Sequence, residues 1–169
     1  MAAAAQPKGS VSTGSIKPVT RKAVRCQREV AWLVTQAAGK LVATTDDVNA
    51  PTPSFVLAAA LSYTREQEQT AQDNGRTIDY KAVMGPDLAS FCQAAGLPAA
   101  PNALSDAGYM LTLSGADLIR DVYAYCSDLG ERMGAATEVK PGYAIKLALR
   151  LFLLGKTSAT STATDNASA

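Results

Sequence analysis

The chain of 169 residues contains no histidine. That removes the commonest general base, the commonest metal ligand and the usual switch near neutral pH. Cysteine is scarce: Cys26, Cys92 and Cys126 stand far apart, with no CxxC pair, which excludes zinc and dithiol motifs. Three lone cysteines read as small buried apolar residues in a reducing compartment. Aromatics are few, with one Trp, six Tyr and three Phe. No apolar run suffices for a secretory leader at residues 1–5. The most apolar stretch, Tyr143 to Leu154, is too short to cross a bilayer and carries Lys146 and Arg150. The expected setting is soluble and intracellular, without a membrane partner.

The most informative absence is of acid at the front. No Asp or Glu precedes Glu29, whereas Lys8, Lys17, Arg21, Lys22, Arg25 and Arg28 all do. Beyond residue 28, ten Lys/Arg face fifteen Asp/Glu. The net charge of +1 thus hides an arm of +6 on a body of −5. Such an arm seeks a polyanion or an acidic surface, and the body of a second copy is one such surface.

Residues 1–18 and 156–169 are rich in Ala, Ser, Thr, Gly and Pro. They hold too little apolar area to offset their chain entropy, so both read as flexible arms around a core of residues 19–155. The core reads as all-α, a small bundle of five to seven helices. Val24, Ala31, Val34, Ala38 and Leu41 recur at helical spacing, predicting one helix from Thr20 to Val42 with Thr20 as N-cap. Asp46 to Pro53 reads as a loop. Ser54 is the expected cap of a helix reaching Gln72 and ended by Asp73-Asn74-Gly75, its second half solvated. Short helices are expected over Thr77–Met84 and Asp87–Ala95, the latter closed by Gly96. Leu104–Leu113 is compatible with a short strand, but helix or turn is preferred. Ser114 is the expected N-cap of a helix over Gly115–Arg132, with Asp117 completing a capping box. Pro141 opens a last helix through Leu154, closed by Gly155. Its apolar residues lie nearly all round it, which predicts burial.

No residue pattern supports catalysis, a cofactor or a metal. Gly155-Lys156-Thr157 resembles the end of a phosphate loop, yet the motif's opening glycine is missing from the stretch before it. Asp117, Asp121 and Asp128 have capping and ion-pair explanations, and no Ser–His or Cys–His arrangement exists. The chain reads as a non-enzyme. Lys146 and Arg150 share one stripe of the buried helix and need anions. Phosphates, core Asp/Glu and the helix dipole each satisfy that need, and the sequence leaves the choice open.

The basic arm has no aromatic residue for stacking. Any nucleic acid it meets is therefore held by the backbone, without regard to base sequence. This plan, an Ala/Ser/Thr-rich arm, a small helical core and a tail running Thr157-Ser158-Ala159-Thr160-Ser161-Thr162-Ala163-Thr164, resembles the coat proteins of filamentous and rod-shaped plant RNA viruses. The resemblance is one of outline, shared also in length and in the scarcity of His and Cys. It implies a helical capsid of many copies in which a basic groove holds single-stranded RNA and arms dock on adjacent subunits, located in the virion and the host cytoplasm. The expected phosphate contacts are Arg120, Lys146 and Arg150 in the core, with Arg21, Lys22, Arg25 and Arg28 as further candidates. A small helical DNA-binding regulator and a helical adaptor for an acidic protein are the alternatives.

Overall fold

A computed structural model describes residues 19–44, 49–101, 104 and 108–155. The expected arms at residues 1–18 and 156–169, and most of the loop after Thr44, lie outside the described residues. Within them the order is β1 (Arg21–Gln27), α1 (Glu29–Thr44), α2 (Pro53–Asp73), α3 (Tyr80–Met84), α4 (Leu88–Ala95), β2 (Gly108–Ser114), α5 (Ala116–Arg132) and α6 (Pro141–Leu154). The body is mostly helical but not strictly all-α, because β1 and β2 pair as a two-stranded antiparallel sheet.

The sheet corrects two expectations. The helix expected from Thr20 begins instead at Glu29, and residues 21–27 alternate. Val24 and Cys26 point inward while Arg21, Ala23, Arg25 and Gln27 stay exposed, the period of a strand rather than a helix. The helical reading failed because Val24 happens to fall in register with the apolar stripe of α1. Gly108–Ser114, for which helix or turn was preferred, is the partner strand, with Leu111 and Leu113 inward. A seven-residue segment cannot declare its period unaided. The pairing Arg21↔Ser114 through Gln27↔Gly108 decides it, and Gly115 N–H donates to Thr20 O (2.8 Å) to extend the ladder by one step.

Other helix starts differ from expectation as well. Thr52, not Ser54, caps α2: its hydroxyl accepts from Phe55 N–H, and Pro53 occupies the first turn. Ser54 Oγ accepts instead from Ser114 N–H (2.9 Å), tying α2 to the strand. Ser114 belongs to β2, so α5 starts after Gly115 without a side-chain cap and Asp117 closes no capping box. Asp87 caps α4, and its hydrogen bonds from Ser90 hold its carboxyl below the usual range. The short helix after Thr77 is α3, which starts at Tyr80 with Asp79 as its cap. The helix stops at Asp73, Gly96 and Leu154 agree with the sequence reading.

Helix α6 is the axis of the body. It packs against α1, α2, α5, α3, α4 and β1, and Ala144, Ile145, Leu147, Ala148, Leu149, Phe152 and Leu153 are buried around its circumference. Apolar burial on all sides is what its sequence predicts. Its first turn presses on β1: a Cβ at Gly142 would lie 2.5 Å from Arg25 O, so only glycine permits the approach. Lys40 of α1 donates to the carbonyls of Phe152 (2.6 Å) and Gly155, placing a cation on the negative end of α6. The second half of α2 is not wholly solvated. Thr64 and Glu68 are buried there; Thr64 Oγ1 donates to Ala60 O (2.8 Å), while Glu68 accepts from Tyr80 and Tyr125 and pairs with Arg132 (3.2 Å). Burial first and the Glu68 carboxylate second push the Tyr80 hydroxyl up to about 12.

Candidate nucleic-acid interface

Pairing two alternating strands gives the ribbon an inner and an outer face. The inner face holds Val24, Cys26, Leu111 and Leu113 against the helices. The outer face carries Arg21, Ala23, Arg25 and Gln27 on β1 beside Ser114, Thr112, Met110 and Gly108 on β2. These eight residues are exposed and include two arginines and no carboxylate. Four positions apart on one face, Arg21 and Arg25 sit roughly 13 Å apart along the strand. Their side chains point the same way because strand periodicity is two. A Cβ at Gly108 would come within 3.2 Å of Arg25 Nε, so the guanidinium lies across the backbone of the partner strand. Arg28 is exposed at the turn from β1 into α1. Lys22 is exposed and lies 4.5 Å from the centroid of the Tyr123 ring of α5. Among the described residues no carboxylate lies within ion-pair distance of Arg21, Lys22, Arg25 or Arg28.

The three core cations are arranged differently. Arg150 is buried, its side chain 1 % exposed. One guanidinium nitrogen donates to Val83 O (3.0 Å) and Pro86 O (2.8 Å), and the other pairs with Glu29 at 3.3 Å. The plane of the cation sits 4.7 Å from the Phe91 ring. Lys146 pairs with the second oxygen of Glu29 and donates to Gln27 Oε1 (2.9 Å). The stripe that needed anions therefore receives one from the start of α1, and in this conformation Arg150 offers no surface to a phosphate. Arg120 is 69 % exposed but faces Asp117 (3.2 Å) and Asp121 (3.5 Å), so its neighbourhood is net acidic. Asp128 pairs with Arg65 at 2.7 Å. No cluster of His, Cys, Asp and Glu suited to a metal occurs among the described residues, and none of their helices is long and apolar enough to cross a membrane.

The structure thus leaves Arg21, Lys22, Arg25 and Arg28 exposed without a carboxylate partner, whereas Arg120, Lys146 and Arg150 are each paired with one, Lys146 beside Gln27 at the end of the ribbon. Sequence reasoning found the cations but missed their setting. The contributions of Met110, Thr112 and Ser114 depend on a pairing more than eighty residues long-range, which no local pattern reports. The role of Glu29 was equally hidden, although it is the first acid in the chain. No protein-family model matches this chain, and no curated protein or solved structure matches it either.

Proposed function

We propose that this chain is a structural coat protein that self-assembles helically and encapsidates single-stranded RNA through sequence-independent phosphate contacts. The observation that carries the reading is the acid-free outer face of the ribbon, where Arg21 and Arg25 stand exposed beside the Arg28 junction. Two unpaired guanidiniums on one face of the ribbon, with a third at the adjoining turn, offer a polyanion a track on a body that is otherwise acidic. Arginine forks suit phosphate oxygens, and Thr112 and Ser114 add hydroxyl donors from the partner strand. The ribbon's outer face has no aromatic ring, so bases are not read by stacking there. Lys22 is an accessory contact. Assembly follows from the same asymmetry: a basic arm docking on the acidic body of another copy is a heterologous contact that need not close into a ring. The role is non-enzymatic, and its setting is the virion and the host cytoplasm.

The test is binding of a fluorescent single-stranded RNA of mixed sequence as a function of salt, with negative-stain microscopy of the same samples. The variant R21Q/R25Q/R28Q should bind more weakly at every sequence. Its log K against log salt slope should fall by about 2, close to 0.7 per lost phosphate contact. A wild-type chain that stays monomeric with and without RNA at low salt overturns the proposal. So does a preference for a particular duplex sequence.

A further inference from the structure

A two-stranded ribbon has two outer edges, and hydrogen-bond parity tells which backbone groups lie on each. In an antiparallel pair, successive residues turn their N–H and C=O alternately toward the partner strand and away from it. Gly115 N–H donates to Thr20 O at 2.8 Å, in continuous register with Arg21↔Ser114. The residues of β1 that bond to β2 are then Lys22, Val24 and Cys26. On β2, Gly108, Met110, Thr112 and Ser114 turn their backbone groups away from β1. Two contacts agree with this parity. Arg25 O, on the outer edge of β1, lies at the first turn of α6, where a Cβ at Gly142 would meet it at 2.5 Å. Ser114 N–H, on the outer edge of β2, donates to Ser54 Oγ at 2.9 Å.

The two edges differ. That of β1 carries Arg21 and Arg25 and is approached by α6. On that of β2, Gly108, Met110 and Thr112 are exposed, and among the described residues no hydrogen bond reaches their outward backbone groups. Folded proteins protect such edges with Lys, Pro, a bulge or a covering element. The strand reads GYMLTLS, with no charge and no proline, and its register with β1 runs without a bulge. Met110, 57 % exposed, stands midway along the open stretch.

We infer that the β2 edge pairs antiparallel with the same edge of a second copy, about a two-fold axis at Met110, joining two ribbons into one four-stranded sheet. The register follows from the bonds on offer. Centring on Met110 sets Gly108 against the partner's Thr112 and Thr112 against the partner's Gly108, so all the open backbone groups are used. Centring on Leu111 or Thr112 calls on Ser114 N–H, which Ser54 already holds. The occupant is a second copy because the strand is uncharged, and self-pairing sets no like charges opposite one another. The edge of β1 paired in the same way about Ala23 would set Arg21 against the partner's Arg25. Half-buried Tyr109 lies against the partner's Leu111 on the inner face, and Met110 meets the partner's Met110 on the outer one. The contact is isologous and closes as a dimer, which the heterologous arm contact can link further. The two-fold stands perpendicular to the sheet, so the arginines of both ribbons share one face. Seven residues a side is well under the roughly 20–30 of a standard interface. The dimer is therefore weak, with a Kd on the order of 100 µM. The inference does not rest on RNA binding.

The test uses the full chain without RNA. Sedimentation at about 0.5 M salt, where the Debye length is roughly 4 Å, screens arm contacts and spares an uncharged edge. A shift from monomer to dimer is expected between about 10 µM and about 1 mM. Amide exchange of the ¹⁵N-labelled protein locates the contact. Leu111 and Leu113, bonded to β1, should be protected at every concentration, and Met110 and Thr112 only as dimers form. M110E and M110K each place like charges opposite one another and should weaken the dimer about fivefold in about 0.15 M salt. An equimolar mixture of the two should dimerise better than either variant alone. A monomer at about 1 mM with both amides unprotected overturns the proposal and leaves the edge to a different chain. Protection of Met110 and Thr112 that ignores concentration also overturns it, since the chain's own residues then cover the edge. A mixture no better than its components overturns the axis at Met110. None of these results bears on the RNA salt slope of R21Q/R25Q/R28Q.

Discussion

Removal of the Glu29 carboxylate is the most searching perturbation of the core, because two cations of the central helix depend on it. In E29A the Arg150 guanidinium remains buried and loses its only described anion. Breaking a buried ion pair by deleting one partner costs about 3–5 kcal/mol. Two features lower that figure here. Arg150 keeps the carbonyls of Val83 and Pro86, and Glu29 is itself 14 % exposed, so water can partly replace it. Lys146 can lift its ammonium toward solvent along its aliphatic stem. The expected loss is therefore about 2–4 kcal/mol. At about 3 °C per kcal/mol for a body of this size, the midpoint of thermal unfolding should fall by roughly 6–12 °C. E29Q, which retains one acceptor, should lose about 1–2 kcal/mol. Urea unfolding followed by far-UV circular dichroism measures both. The double variant E29A/R150M removes the stranded charge together with its partner. It should be more stable than the sum of the single variants predicts, with a coupling of about 1–3 kcal/mol. A loss below about 1 kcal/mol in E29A, or strict additivity in the double variant, would refute the assignment of Glu29 as the counter-ion.

Two further outcomes follow from the same geometry. T52A removes the hydroxyl that accepts from Phe55 N–H and should cost about 1 kcal/mol in urea unfolding, whereas S54A should act through the β2 contact and leave α2 helicity intact. No loss in T52A would return the cap to Ser54. The three thiols are free and buried, and burial pushes those of Cys26 and Cys126 up to about 11. At pH 8 a thiol-exchange reagent should label none of them in the native protein and all three in urea. Because the folded values exceed the unfolded value near 8.5, this contribution to stability is complete below that pH. It declines as pH rises toward 11, visible as a falling urea midpoint. Rapid native labelling at pH 8 would contradict the burial.

Much of the helical body is legible in the residues because its signals are local. The all-round apolar α6 and the stops at Asp73 and Gly96 each rest on neighbours within one or two turns. The ribbon is not legible in that way. Arg21–Gln27 and Gly108–Ser114 are short, and each becomes a strand only because the other covers its backbone. The N-caps of α2 and α5 moved by one or two positions for a related reason: Ser54 and Ser114 bond to each other across sixty residues rather than to their own helices. Glu68 also looked solvated until Tyr80, Tyr125 and Arg132 were brought over it.

What the residue order by itself determined is the charge asymmetry, the absence of histidine chemistry and a core dominated by helices, since composition and local periodicity carry each of these. What only the tertiary structure decided is which cations are free. Glu29 meets Lys146 and Arg150 more than a hundred residues away, while strand pairing turns Arg21 and Arg25 outward together. Whether a charge is matched depends on its neighbours in space, and chain proximity does not encode them.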